Sequence, residues 1–108
     1  MSLGSWFENL FHDVNNHNLA GALAAAKTTI DQLAVIEKWS WVSQFDTAAT
    51  TAINGLNNWQ KGSPTTDITQ ALNTAVGILN GAQGLSAKDK EVISIFVVAA
   101  ESALAFLG

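Results

Sequence analysis

The chain contains no cysteine, no arginine and no tyrosine, only one proline, and few charges of either sign: 13% of its 108 residues are charged. Each shortage excludes something. Without cysteine there are no disulfides and no thiolate metal sites, and the redox compartment stays undetermined. Without arginine there is no planar fork to grip a carboxylate or phosphate with two hydrogen bonds. The lysines (Lys27, Lys38, Lys61, Lys88, Lys90) are scattered along the chain. Nucleic-acid binding needs clustered cations that displace counterions from phosphate, so no nucleic-acid partner is expected. No basic segment precedes an apolar run, so no secretory signal is read, and a cytoplasmic or virion-associated location is expected. Met1-Ser2-Leu3 reads as an appended remnant, with the natural chain starting near Gly4.

What is present is apolar. Hydrophobic residues make up 48% of the chain, against a formal net charge of −4 from 9 acids and 5 lysines. Ordinary domains carry about 25% charged residues, so solubilising charge is scarce. That much apolar surface excludes a disordered chain, and the length suits one hydrophobic core. The scarcity of charge points to apolar surface covered by another chain or by a membrane.

Punctuation divides the chain into about five helices. Ser5 and Glu8 have capping-box spacing; behind them Leu3, Phe7, Leu10 and Val14 predict a short amphipathic helix within residues 1–17. The run Asn15-Asn16-His17-Asn18 reads as a turn and cap, because asparagine bonds readily to nearby backbone. A second helix is expected from about Asn18 to beyond Trp39 on the stripe Leu19, Leu23, Ala26, Ile30 and Leu33. Ser43 and Asp46 again have capping-box spacing and predict a third helix carrying Phe45, Ala49, Ala52, Leu56 and Trp59. Gly62-Ser63-Pro64 ends it. Ile68, Leu72, Ala75, Leu79 and Ala82 mark a fourth helix ended by Gly81 and Gly84, glycine being suited to a left-handed terminus. Ser86 caps a fifth, from about Ala87 to Leu107. The fold class expected is all-α: one helical domain over 1–108, an up-and-down antiparallel bundle of about four to five helices, with four of them in 18–108.

The last segment is apolar nearly all round, from Val92 to Leu107 except Ser94, Glu101 and Ser102. Such a helix is buried on most sides, centrally or at an interface. Its β-branched residues leave a strand as the alternative. As a membrane span its sixteen residues reach only about 24 Å, short of a hydrocarbon core of about 30 Å.

Catalytic chemistry finds few candidates. Glu8 and His12 lie one helical turn apart with Asp13 adjacent, fewer ligands than a zinc site takes. His17 reads as a turn residue. Asp31, Glu37, Asp46, Asp67 and Asp89 fall near predicted helix starts or exposed faces, where acids need no catalytic role. Gly77, Gly81 and Gly84 follow a helix rather than a strand, so they form no phosphate loop. No enzyme activity, cofactor or metal is expected.

The aromatic residues say more. Trp39 and Trp41 stand about 200° apart on a helix, so unless the helix breaks between them one faces solvent or a partner. Tryptophan is enriched among binding hot spots. The expected interface residues are Trp6, Phe7 and Phe11 of the N-terminal stretch, Trp39 and Trp41, and Phe96, Val97, Leu104 and Phe106 of the last helix. A short, cysteine-free, alanine-rich chain opening on an aromatic amphipathic stretch resembles many small phage and prophage proteins, in composition rather than by any motif. The function expected is a non-catalytic assembly or protein-interaction domain, partnered by itself or by another protein. The alternatives are a membrane-associated protein using its apolar C-terminal helix, and a carrier of an apolar small molecule.

Overall fold

The computed structural model describes residues 15–60 and 62–107; the predicted helix within 1–17, with Trp6, Phe7 and Phe11, lies largely outside them. The described residues form four helices and no strand: α1 (Asn16–Glu37), α2 (Val42–Asn58), α3 (Thr66–Gly81) and α4 (Ala87–Leu107). The strand alternative for the last segment is thereby replaced by helix. α1 packs on α2 and α4, and α3 packs on α2 and α4, so each helix touches two neighbours around a shared core.

The helix starts follow local chemistry. Asn15, in extended conformation, caps α1: its side-chain oxygen accepts from the Asn18 N–H at 2.8 Å. Asn16 then donates its amide to the carbonyls of Leu56 at 2.6 Å and Trp59 at 3.1 Å. It adds a second donor to the Leu56 carbonyl, which also accepts from the Trp59 N–H at 3.2 Å, and joins the start of α1 to the end of α2. Ser86 and Asp89 form a reciprocal capping box for α4, each side chain accepting from the other's N–H at 3.2 Å. Ser43 and Asp46 do not repeat it. α2 begins at Val42 behind Trp41, without a side-chain cap, and Asp46 is engaged elsewhere.

α1 also ends earlier than its composition suggests. Lys38 takes the left-handed conformation (φ 58°, ψ 47°), and the Trp39 N–H turns back to the Ala34 carbonyl at 3.2 Å. This is a Schellman-type termination, with Lys38 in the place glycine usually fills. A left-handed conformation costs a residue with a Cβ about 1–2 kcal/mol. Lys38→Gly is therefore expected to raise stability by about 0.5–1 kcal/mol, the relief being partly offset by a more flexible unfolded chain. A thermal melt at neutral pH checks it. At the end of α3 the left-handed residue is Gly84 (φ 72°), while Ala82 follows Gly81 in extended conformation.

The predicted stripes form the core: Leu19, Leu23, Ala26 and Ile30 on α1, Phe45, Ala49, Ala52 and Leu56 on α2, and Ile68, Leu72, Ala75 and Leu79 on α3 are buried. On α4 the buried apolar set is Ile93, Phe96, Ala99, Ala100 and Ala103, beside the capping Asp89. It mixes the two stripes the sequence allows, one through Val92, Phe96, Ala99, Ala103 and Phe106, the other through Ile93, Val97, Ala100, Leu104 and Leu107. Phe45 and Phe96 meet edge-on in the middle, centroids 4.9 Å apart.

Candidate interaction surface

The Schellman turn after α1 decides where the tryptophans go. By breaking the helix before Trp39 it removes the 200° separation, and the two indoles stack with centroids 4.9 Å apart. Trp39 is buried and Trp41 half-buried. Trp41 meets Phe45 edge-on at 6.0 Å, so four rings run from the α1–α2 corner to Phe96 at the core's centre. At the other end of α2, Trp59 meets Phe106 at 5.4 Å.

The other expected interface residues are dispersed. Phe96 is fully enclosed by its own chain, so it fills the core and presents no surface to a partner. Val97 is half-buried and lines a cleft of about 300 Å³ between α3 and α4, with Leu79, Leu85 and Ile93 on its apolar side and Asn80, Lys90 and Ser94 on its polar side. Leu104 and Phe106 are half-buried near the end of α4. A second groove, about 500 Å³, runs between α2 and α3 and is open to solvent, with Gln44, Thr47, Ala48, Thr51, Gln70 and Thr74 in its lining. Neither opening is the enclosed apolar chamber that a carrier would need.

The surface feature missed in the sequence is Val35 and Ile36. These adjacent aliphatics are 79% and 75% exposed at the end of α1. Both lie beyond the stripe that ends at Leu33, in the last turn before the tryptophan corner. Their position off the stripe was the signal available. β-branched residues are modest helix formers, and at this exposure no packing among the described residues compensates.

One charged cluster bridges α1 and α2. Lys27 Nζ lies 2.8 Å from Asp31 Oδ2 and 3.6 Å from Asp46 Oδ1, across the α1–α2 junction. The hydrogen bond to Asp31 chiefly raises the Lys27 pKa. Glu37 is pushed above the usual carboxylate range, first by its hydrogen bond with Asp89, while the Trp39 indole N–H bonded to it pulls the other way. Among the described residues no group of three or more potential ligands is placed to hold a metal ion. Glu8, His12 and Asp13 lie outside those residues, and His17 is exposed in the first turn of α1.

By length and composition, one described helix could cross a membrane, and it is α1 rather than the C-terminal helix. Its apolar stripe is spent in the core, where Leu19, Leu23 and Ile30 are fully buried.

These features define an all-α protein of four described helices with an aromatic corner and an exposed aliphatic pair beside it. No protein-family model, curated protein or solved structure matches the chain.

Proposed function

We propose that the chain is a non-catalytic helical assembly module, an up-and-down bundle that buries the end of α1 against a second copy or another protein. Three end-to-end contacts support the up-and-down arrangement. Asn16 bonds the end of α2, Glu37 meets Asp89 at the start of α4, and Trp59 meets Phe106 with both residues near their helix ends.

The observation that carries assembly is the exposure of Val35 and Ile36 beside Trp39 and Trp41. Covering a valine or isoleucine that is otherwise in water is worth about 1.5–3 kcal/mol, and nothing among the described residues supplies that gain. Scarce charge on the rest of the molecule acts in the same direction. The compositional likeness to small phage and prophage proteins suits a structural or accessory role within a larger particle.

The double variant Val35→Lys/Ile36→Lys tests it. Exposed positions tolerate lysine, so helicity and melting temperature should hold within about 0.5 kcal/mol of wild type while self-association is lost. Unchanged self-association in a folded double variant would remove this surface from the interface. Membrane association, the competing possibility, rests on α1's length and apolarity. It would require withdrawing Leu19, Leu23 and Ile30 from the core, which makes assembly the better-supported function.

A further inference from the structure

We propose that α1 is fastened to α2 by one proton shared between Asp31 and Asp46 above Lys27, making this junction tighter in mild acid than at alkaline pH. The geometry begins with two oxygens. Asp31 Oδ1 and Asp46 Oδ1 are both sealed from solvent and neither is hydrogen-bonded. Lys27 Nζ stands 3.6 Å from Asp46 Oδ1, an ion pair too long for a hydrogen bond. An ionised carboxylate only accepts hydrogen bonds, so two of them brought together leave both oxygens unsatisfied. A buried acceptor without a donor destabilises the folded chain. One proton between the carboxyls turns one acceptor into a donor and removes one of the two negative charges. Lys27, 2.8 Å from Asp31 and 3.6 Å from Asp46, neutralises the charge that remains.

The surroundings leave the proton with this pair. Among the described residues, Lys27 is the cation in ion-pair range of it. On α3, Asp67 lines the groove on the other flank of α2, beside Gln44 and Thr47. On α4, Asp89 meets Glu37, a second carboxyl pair that ties α1 to a different neighbour. The remaining α4 charges, Lys88, Lys90, Glu91 and Glu101, are exposed.

The titration has a definite sign. Asp46 is pushed up from 3.8 to about 6, chiefly by burial, then by the hydrogen bond and charge of Asp31, with Lys27 opposing. The folded chain therefore holds this proton more tightly than the unfolded chain. The stability it supplies is fully present below about pH 3.8 and is lost as pH rises through about 6.

The test is a series of thermal melts of the full chain from pH 5 to pH 8, with Asp46→Asn alongside. Asparagine carries a permanent N–H donor to Asp31 and no titrating proton. Wild type should melt several degrees higher at pH 5 than at pH 8, and Asp46→Asn should lose most of that slope, keeping only the smaller part that the exposed Glu37 supplies. An equal slope in both proteins, or a wild-type profile that is flat or falls toward acid, would overturn the shared proton. Carbon-13 NMR titration of the Asp46 carboxyl in wild type decides the matter even if the variant fails to fold. A midpoint near 6 supports the pair, and one near 4 refutes it.

Discussion

Phe96→Ala should cost the protein about 3–5 kcal/mol, a large share of the 5–15 kcal/mol that holds a typical domain folded. Phe96 is fully buried and meets Phe45 edge-on, an arrangement worth about 0.5–1.5 kcal/mol beyond the area it buries. Much of the core contributed by α2 and α4 is alanine: Ala49, Ala52, Ala99, Ala100 and Ala103 are all fully buried. Alanine has no side-chain torsion with which to swing a methyl into a void, so the hole left by the ring would collapse little, and the loss should fall high in that range. Urea denaturation checks it: the midpoint drops sharply while the slope is kept. Phe96→Leu, which retains much of the volume, should lose far less. A loss below about 1 kcal/mol for the alanine variant would mean that the Phe45–Phe96 contact is not the centre of the core.

The second large effect concerns Gly55, where α2 approaches α3. A Cβ built there would come within 2.6 Å of Ile68 Cγ1. Isoleucine is stiff about its first side-chain torsion in a helix, and Ile68 is buried, so it has no easy retreat. Alanine would gain about 0.5–1 kcal/mol as a better helix former, but overpacking costs about 1–3 kcal/mol. Gly55→Ala should therefore destabilise by about 1–2 kcal/mol net. Gly77 on α3 supplies the contrast. A Cβ there meets nothing within 4 Å, so Gly77→Ala should stabilise by about 0.5–1 kcal/mol. Opposite signs for one substitution at two helical glycines would be read from paired urea curves. If Gly55→Ala also stabilised the fold, α2 and α3 would have to lie further apart than described.

Much of the architecture was legible wherever a signal was local and periodic. The 4-3-4 spacing of Leu19, Leu23, Ala26 and Ile30, and its counterparts on α2 and α3, selected residues that are buried. Ser86 caps α4 where the sequence places it, with Asp89 completing the box from three residues on. The failures came where distant residues decided a local outcome. Ser43 and Asp46 have the same kind of spacing, yet Asp46 faces Lys27 and Asp31 on α1, and no cap forms. α1 stops at a lysine in a left-handed turn, a position that carries no glycine or proline to announce it. A helix corner at Trp39 and Trp41 was among the readings the sequence allows, with the indoles packed into different parts of one core. The corner forms, and the indoles stack on each other instead. On α4 the apolar surface runs nearly all the way round, so neither stripe alone named the buried set of Ile93, Phe96, Ala99, Ala100 and Ala103. Val35 and Ile36 lie off the α1 stripe, which was the local sign of their exposure, but only the distant packing of α2 and α4 decides which face of α1 stays in water.

The native mass of the full chain, by light scattering behind a sizing column in detergent-free buffer, tests assembly most directly. A discrete species at a small whole-number multiple of 11.4 kDa, reduced to one chain by Val35→Lys/Ile36→Lys, is the expected result. A sharp peak at 11.4 kDa across the accessible concentration range would contradict self-assembly through the end of α1.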